Sequence, residues 1–260
     1  MVAQGWAMQT SFLLVAALSM VAAFTPVQAA DPRTFELRVY YSNPGKLEEL
    51  HARFRDHTMR LFEKHGITNL GYWTPLENPE GKLFYVLAYP SREAREKSWK
   101  EFAADPDWKS AKAASEKNGA LVAKVESSFL KATDFSPEIK ASDAGPRVFE
   151  LRTYTTTEGN LDRLQKRFRE HTMSLFQKHG MTNLFYWTLQ PDQPNAANTL
   201  IYLLAHKSKE AGDASWKAMR ADPVWVEAKA ASEKEGGGSL TVPDGVKSVF
   251  LQATDYSPTK

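Results

Sequence analysis

Two short runs carry the residue types best suited to chemistry. Glu36, Arg38 and Tyr40 alternate with apolar neighbours, and Glu150, Arg152 and Tyr154 repeat the arrangement. Side chains two apart in an extended chain share a face, so each run sets a carboxylate, a guanidinium and a phenol side by side. Enclosed, such a trio can orient a small ligand; equally, the two charges can satisfy each other as a buried ion pair. Histidines form the second group. His57 and His65 recur as His171 and His179. Eight residues along a helix span about 12 Å, too far for a shared metal ion and unlike the i, i+4 spacing of a zinc helix. His57 and His171 stand at the edge of an apolar stripe, where an imidazole that reached a cavity would be a competent general base. His65 and His179 fall at a helix C-terminus, which favours a cation. Trp73 and Trp187 complete the candidate set, as walls of an apolar pocket or as core. There is no phosphate loop, nucleophile elbow or nucleotide fingerprint, and no cofactor is expected.

The elements that must position these groups come twice. Phe35–Thr74 and Phe149–Thr188 align without a gap at a constant offset of 114 (149 − 35), and most positions are identical. The period is that of a whole domain rather than of a solenoid repeat. In each copy an alternating run reads as a strand, beginning at Arg33 in the first. Asn43-Pro44-Gly45 breaks the chain. Leu47, Leu50, Phe54, Thr58, Leu61 and His65 then recur at helical steps, and Gly66 stops them. Thr68–Trp73 and Leu83–Tyr89 predict two strands joined by a hairpin turn. In copy two the corresponding loop, Pro191–Asn198, is longer by three residues. Ser91 and Asp105-Pro106 are start signals for two further helices, and Val122–Ala132 predicts a closing strand. Each copy therefore reads β-α-β-β-α-β, the ferredoxin-like order. With both helices on one sheet face the other is left bare, so the two copies are expected to cover each other as an internal pseudo-dimer, with further homo-oligomerisation open. If the helices lie on the Phe35/Leu37/Val39 face, the Glu-Arg-Tyr trios point between the sheets.

Composition narrows the classes. The 260 residues hold 33 Lys and Arg against 31 Asp and Glu, a balance that argues against a nucleic-acid surface. With no cysteine, disulfides, zinc thiolates, iron–sulfur clusters and thiol nucleophiles are all excluded. Ser11–Phe24 is apolar, and Val27-Gln28-Ala29 fits a signal-peptide cleavage site although no basic residue precedes Arg33. The expectation is a signal peptide over 1–30, cleavage near Ala29 or Ala30, and an exported (periplasmic or extracellular) chain with no stable membrane span thereafter. Domains follow at 31–137 and 147–260, with a polar linker at 138–146.

The run Phe54-Arg55-Asp56-His57-Thr58, Leu61–Gly66 and Tyr72-Trp73-Thr74, followed by Asp105-Pro106-Asp107-Trp108, resembles the NIPSNAP domain. Copy two does the same with Phe168-Arg169-Glu170-His171-Thr172, Leu175–Gly180, Tyr186-Trp187 and Asp222-Pro223-Val224-Trp225. The resemblance covers nearly all of both repeats. It implies an α+β fold, a dimeric α/β-barrel made of two ferredoxin-like halves, and it implies little about activity. The expected function is a non-enzymatic module that binds a small hydrophobic ligand or another protein. The alternative is a cofactor-independent enzyme of the monooxygenase or isomerase kind acting on a small hydrophobic substrate. That alternative requires His57 or His171 to converge with Arg38 or Arg152 on an enclosed pocket; arginines bridged to Glu36 and Glu150 would argue against it.

Overall fold

The computed structural model describes residues 1–2 and 30–260, so the expected leader lies outside the described residues save for its ends. Copy one runs β1 (Thr34–Ser42), α1 (Leu47–Arg53), α2 (Met59–Lys64), β2 (Thr68–Pro75), β3 (Lys82–Tyr89), α3 (Arg92–Ala104), α4 (Pro106–Ser115) and β4 (Val122–Ala132). Copy two repeats it as β5 (Val148–Thr156), α5 (Leu161–Arg167), α6 (Met173–Lys178), β6 (Thr182–Leu189), β7 (Thr199–His206), α7 (Lys209–Ala221), α8 (Pro223–Glu235) and β8 (Thr241–Ala253). The predicted caps are in place: Ser91 Oγ accepts from Ala94 N at 3.1 Å and Asp105 Oδ1 from Asp107 N at 2.8 Å. Each satisfies a helix-terminal N–H that has no partner within its own helix.

The first long helix of each copy departs from its regular pattern. A single π turn, Phe54–Thr58 and Phe168–Thr172, separates α1 from α2 and α5 from α6. Thr58 and Thr172 donate to the carbonyls of Arg53 and Arg167, five residues back, at 3.0 and 3.1 Å. The buried hydroxyl thus finds its acceptor within its own helix.

The eight strands close into one barrel in the order β1-β3-β2-β8-β5-β7-β6-β4. Every neighbouring pair is antiparallel. β1 and β5 therefore run the same way, and the pseudo-twofold axis lies along the barrel. The copies join through two short seams, Trp73–Pro75 on Leu251–Ala253 and Trp187–Leu189 on Leu130–Ala132. Closure removes the sheet edges. The helices stand outside, over a layer rich in tyrosine that includes Tyr72, Tyr85, Tyr186 and Tyr202.

The interior face is the reverse of the one expected. Phe35, Leu37, Phe149 and Leu151 fill the barrel, while Glu36, Arg38 and Tyr40, with Glu150, Arg152 and Tyr154, lie beneath the helices. The reason is the supply of partners. The barrel wall opposite β1 is aliphatic and aromatic, whereas the helix layer brings Arg95 to Glu36 and Trp216 to Glu150 as donors. A buried carboxylate goes where donors are.

The end of each copy crosses to the other. Thr133-Asp134-Phe135-Ser136-Pro137 docks on copy two, and Thr254-Asp255-Tyr256-Ser257-Pro258 docks on copy one. Thr133 N donates to Tyr186 O and Tyr186 N donates to Ser136 Oγ; Thr254 N and Ser257 Oγ serve Tyr72 in the same way. Arg55 binds Asp255 through two hydrogen bonds of 2.7 and 2.9 Å, and Arg169 binds Asp134 at 3.0 and 2.7 Å.

Candidate functional site

Each glutamate is the hub of a closed polar cluster. Glu36 is fully buried and accepts from Arg38, from Arg95 Nε and Nη2 at 3.1 and 3.0 Å, from Tyr89 OH at 2.9 Å and from Ser127 Oγ at 2.6 Å. Burial alone would raise its pKa. The bonds from Arg95 and Ser127 and the charge of Arg38 outweigh burial and bring it down to about 2. Glu150 is built alike from different parts: Arg152 Nη1 at 2.5 Å, His206 Nε2 at 2.9 Å, Trp216 Nε1 at 2.7 Å and Ser248 Oγ at 2.5 Å. Burial again works upward, but these donors and the Arg152 charge pull its pKa to about 2. His206 stands where copy one has Tyr89, and Gly212 where copy one has Arg95. A Cβ at Gly212 would lie 3.1 Å from the His206 ring, so the glycine makes room for the imidazole. Arg38 Nε donates to Tyr85 OH at 2.8 Å, whereas the equivalent Arg152 Nε and Tyr202 OH each lack a partner among the described residues.

The remaining candidates go elsewhere. His57 is exposed and His171 half-buried, and both line outer grooves against α4 and α8. They do not meet Arg38 or Arg152. The reading of His57 and His171 as cavity bases is thereby corrected: the helix face that carries them is turned to solvent. His65 and His179 bond the helix-capping Asp105 and Asp222 at 2.7 and 2.8 Å. Trp73 and Trp187 are buried in the barrel, Trp73 against Phe149 and Trp187 against Phe35, each the first-strand phenylalanine of the other copy. Their indole nitrogens have no partner among the described residues. The ten residues thus occupy two polar clusters, one aromatic plug and two surface grooves, not a single cavity.

A cavity lies inside the barrel, beyond the plug. It has a volume of about 490 Å³ and is walled by Leu37, Phe84, Leu151, Leu189, Ile201 and Val249. Toward solvent the wall becomes polar, with Ser128, Thr153, Thr155 and Thr199, and two charged groups stand at the mouth, Glu126 and Lys247. These two occupy equivalent positions, each immediately before the serine that donates to the buried glutamate. Glu126 is held by Lys124 at 2.6 Å, and that bond keeps its carboxyl below the usual range. The long loop of copy two adds Pro194 and Asn195 to one wall, with Asn195 in the left-handed region at φ 63°; the shorter loop of copy one adds no residue. The sequence reading expected a barrel cavity but missed the residues that line it, because valine, leucine and threonine on strands carry no chemical signature. The available signals were the extra loop residues and the change from Glu126 to Lys247 between copies.

Comparison with known proteins agrees with this architecture. No curated protein sequence matches the chain. A provisionally named monooxygenase from Fusobacterium nucleatum is similar in structure, with a TM-score of 0.58 at 13% identity, over 86% of this chain and 93% of that one. An anthrone oxidase-like protein has a TM-score of 0.56 at 13% identity, over 90% and 97%. At such identities the likeness concerns the fold alone. A NIPSNAP family protein of unknown function from Agrobacterium tumefaciens, 22% identical with a TM-score of 0.36, covers 40% of this chain and 92% of its own. The family model for NIPSNAP matches residues 35–137 and again 149–258. With both repeats matched, the chain belongs to the NIPSNAP family and carries two of its domains in tandem.

Proposed function

We propose that this protein is a non-enzymatic binding protein that takes a small hydrophobic ligand into the open end of its barrel. The observation that carries the reading is the cavity of about 490 Å³, aliphatic within and hydroxylated at its mouth. Its volume falls in the range of about 300–1,000 Å³ typical of small-molecule sites. The residues best equipped for acid–base work are already committed. Glu36 and Glu150 are saturated by their donors, and His57 and His171 face outward, which favours binding over turnover. The oxygenase-type names of the structural neighbours belong to those proteins. In this reading the mature chain works in an exported compartment, which rests on the apolar stretch Ser11–Phe24 and the Val27-Gln28-Ala29 site.

Titration with the neutral fluorophore N-phenyl-1-naphthylamine tests the binding. Saturable binding is expected, and Thr153→Trp, which places an indole in the mouth, should abolish it. Absence of saturable binding, or equal binding by Thr153→Trp, would overturn the reading. Cell fractionation with N-terminal sequencing of the mature chain tests export: a mature protein beginning near Asp31 outside the cytoplasm is expected, and an intact cytoplasmic chain would refute it.

A further inference from the structure

The pseudo-twofold axis makes the two walls of the barrel mouth equivalent in backbone, but their chemistry differs. Val39 faces Thr153 in the repeat, Phe84 faces Ile201, and Glu126 faces Lys247. The copy-one wall is apolar apart from Ser128, and its one charge is neutralised by Lys124 at 2.6 Å, with Lys82 and Lys124 each 4.9 Å from the Tyr41 ring beside it. On the copy-two wall Lys247 pairs across the ladder with Thr153, which turns both side chains into the barrel. Lys247 has no carboxylate partner within salt-bridge distance among the described residues. Around it stand the hydroxyls of Thr153, Thr155 and Thr199. The cavity therefore has an apolar depth, one uncompensated ammonium at its mouth, and hydroxyl donors on the same side.

Resting on the ligand-binding reading, we infer that the ligand is an amphipathic carboxylate. Its apolar body lies between Leu37, Leu151 and Ile201, and its carboxylate meets Lys247 and the threonines of copy two. A neutral ligand would leave the ammonium unused. A cationic head would meet Lys247 directly and would find Glu126 already occupied. Because the mouth is solvated, the charge is worth a modest factor: an exposed ion pair corresponds to about fivefold in affinity, reduced further by salt. Depth supplies affinity, and the head group supplies orientation.

Competition of decanoate, decan-1-ol and decylammonium against bound N-phenyl-1-naphthylamine tests the inference on the full mature chain. Decanoate should displace the probe best, and its advantage over decan-1-ol should shrink as ionic strength rises. Lys247→Met should lower the ratio of decanoate to decan-1-ol affinity about fivefold, and Lys247→Glu should turn the preference toward decylammonium. If decan-1-ol binds as well as decanoate, or the ratio is the same in Lys247→Met, the carboxylate inference is wrong while the ligand-binding reading stands. If none of the three displaces the probe and the probe itself does not saturate, the binding reading fails as well. Lys247 is exposed at the mouth, and a far-ultraviolet spectrum unchanged in Lys247→Met separates loss of charge from loss of fold.

Discussion

At the scale of single residues, the repeated Glu-x-Arg-x-Tyr face is a device for burying charge. Removing one partner of a buried, hydrogen-bonded pair costs about 3–5 kcal/mol, because the other charge is left unpaired. Glu150 has no second guanidinium, so Arg152→Met should destabilise the fold by that order in urea denaturation, and Arg38→Met by less, because Arg95 still holds Glu36. The pH dependence follows from the same geometry. Glu36 and Glu150 ionise near 2 when folded and near 4.5 when free. Their stabilisation is present above about pH 5 and is lost as pH falls toward 2, at about 3 kcal/mol for each carboxylate. Stability measured from pH 6 down to 3 should fall accordingly, and Glu36→Gln should flatten the slope; an unchanged slope would sink the assignment. Gly71 is a residue-scale exception to the repeat, since copy two has Phe185 there. A Cβ at Gly71 would collide with the Trp73 indole, so Gly71→Ala should cost about 1–3 kcal/mol by overpacking. Trp73→Phe in the same chain should relieve most of that cost, and a double-mutant cycle reads the coupling.

At the scale of elements, the retained motif around the π turn acts as a dock for the other copy's tail. Tyr256 packs on Phe54 and Tyr72, and its hydroxyl lies 2.8 Å from His51 Nδ1. Arg55 and Asp255 are bidentate but exposed, at 42% and 64% of their side-chain surface. Magnitude separates them. Tyr256→Ala should cost about 3 kcal/mol, as large-to-small changes at packed aromatic sites do, whereas Arg55→Ala should cost far less, because its ion pair is solvated. Comparable losses in chemical denaturation would mean that the ion pair, not the ring, holds the tail. Element type and order were legible from the sequence because period two and period 3.6 leave different traces in Phe35–Tyr41 and Leu47–His65. The inward face of β1 was not legible. Tyr72, Tyr85 and Tyr89 are buried under helices as fully as Phe35 and Leu37 are buried in the barrel, so hydrophobicity marks both faces. The π turns left no trace either, because one widened turn shifts the apolar stripe without interrupting it.

At the scale of the whole molecule, two sequence repeats make one structural unit. The sheets share two seams, the closing tails are exchanged, and Trp73 and Trp187 each pack on a phenylalanine of the other copy. A half of the chain would expose its open sheet, its share of the barrel core and the dock for its partner's tail, an apolar surface far larger than soluble monomers tolerate. Unfolding one half would strip the other of the same contacts. The two domains should therefore melt in a single transition, with calorimetric and van't Hoff enthalpies equal, even though the repeat predicts two domains by length. The linker is not what holds them. Asp143 is exposed, so a protease site inserted there can be cut in the folded protein. The cut chain should stay together in size-exclusion chromatography and keep the barrel-mouth binding. Its melting should become concentration-dependent, since the halves are now separate molecules that lose translational freedom on pairing. Two resolved transitions before cutting, or separation of the halves after it, would show that each repeat closes its own core and that the shared barrel does not hold the molecule together.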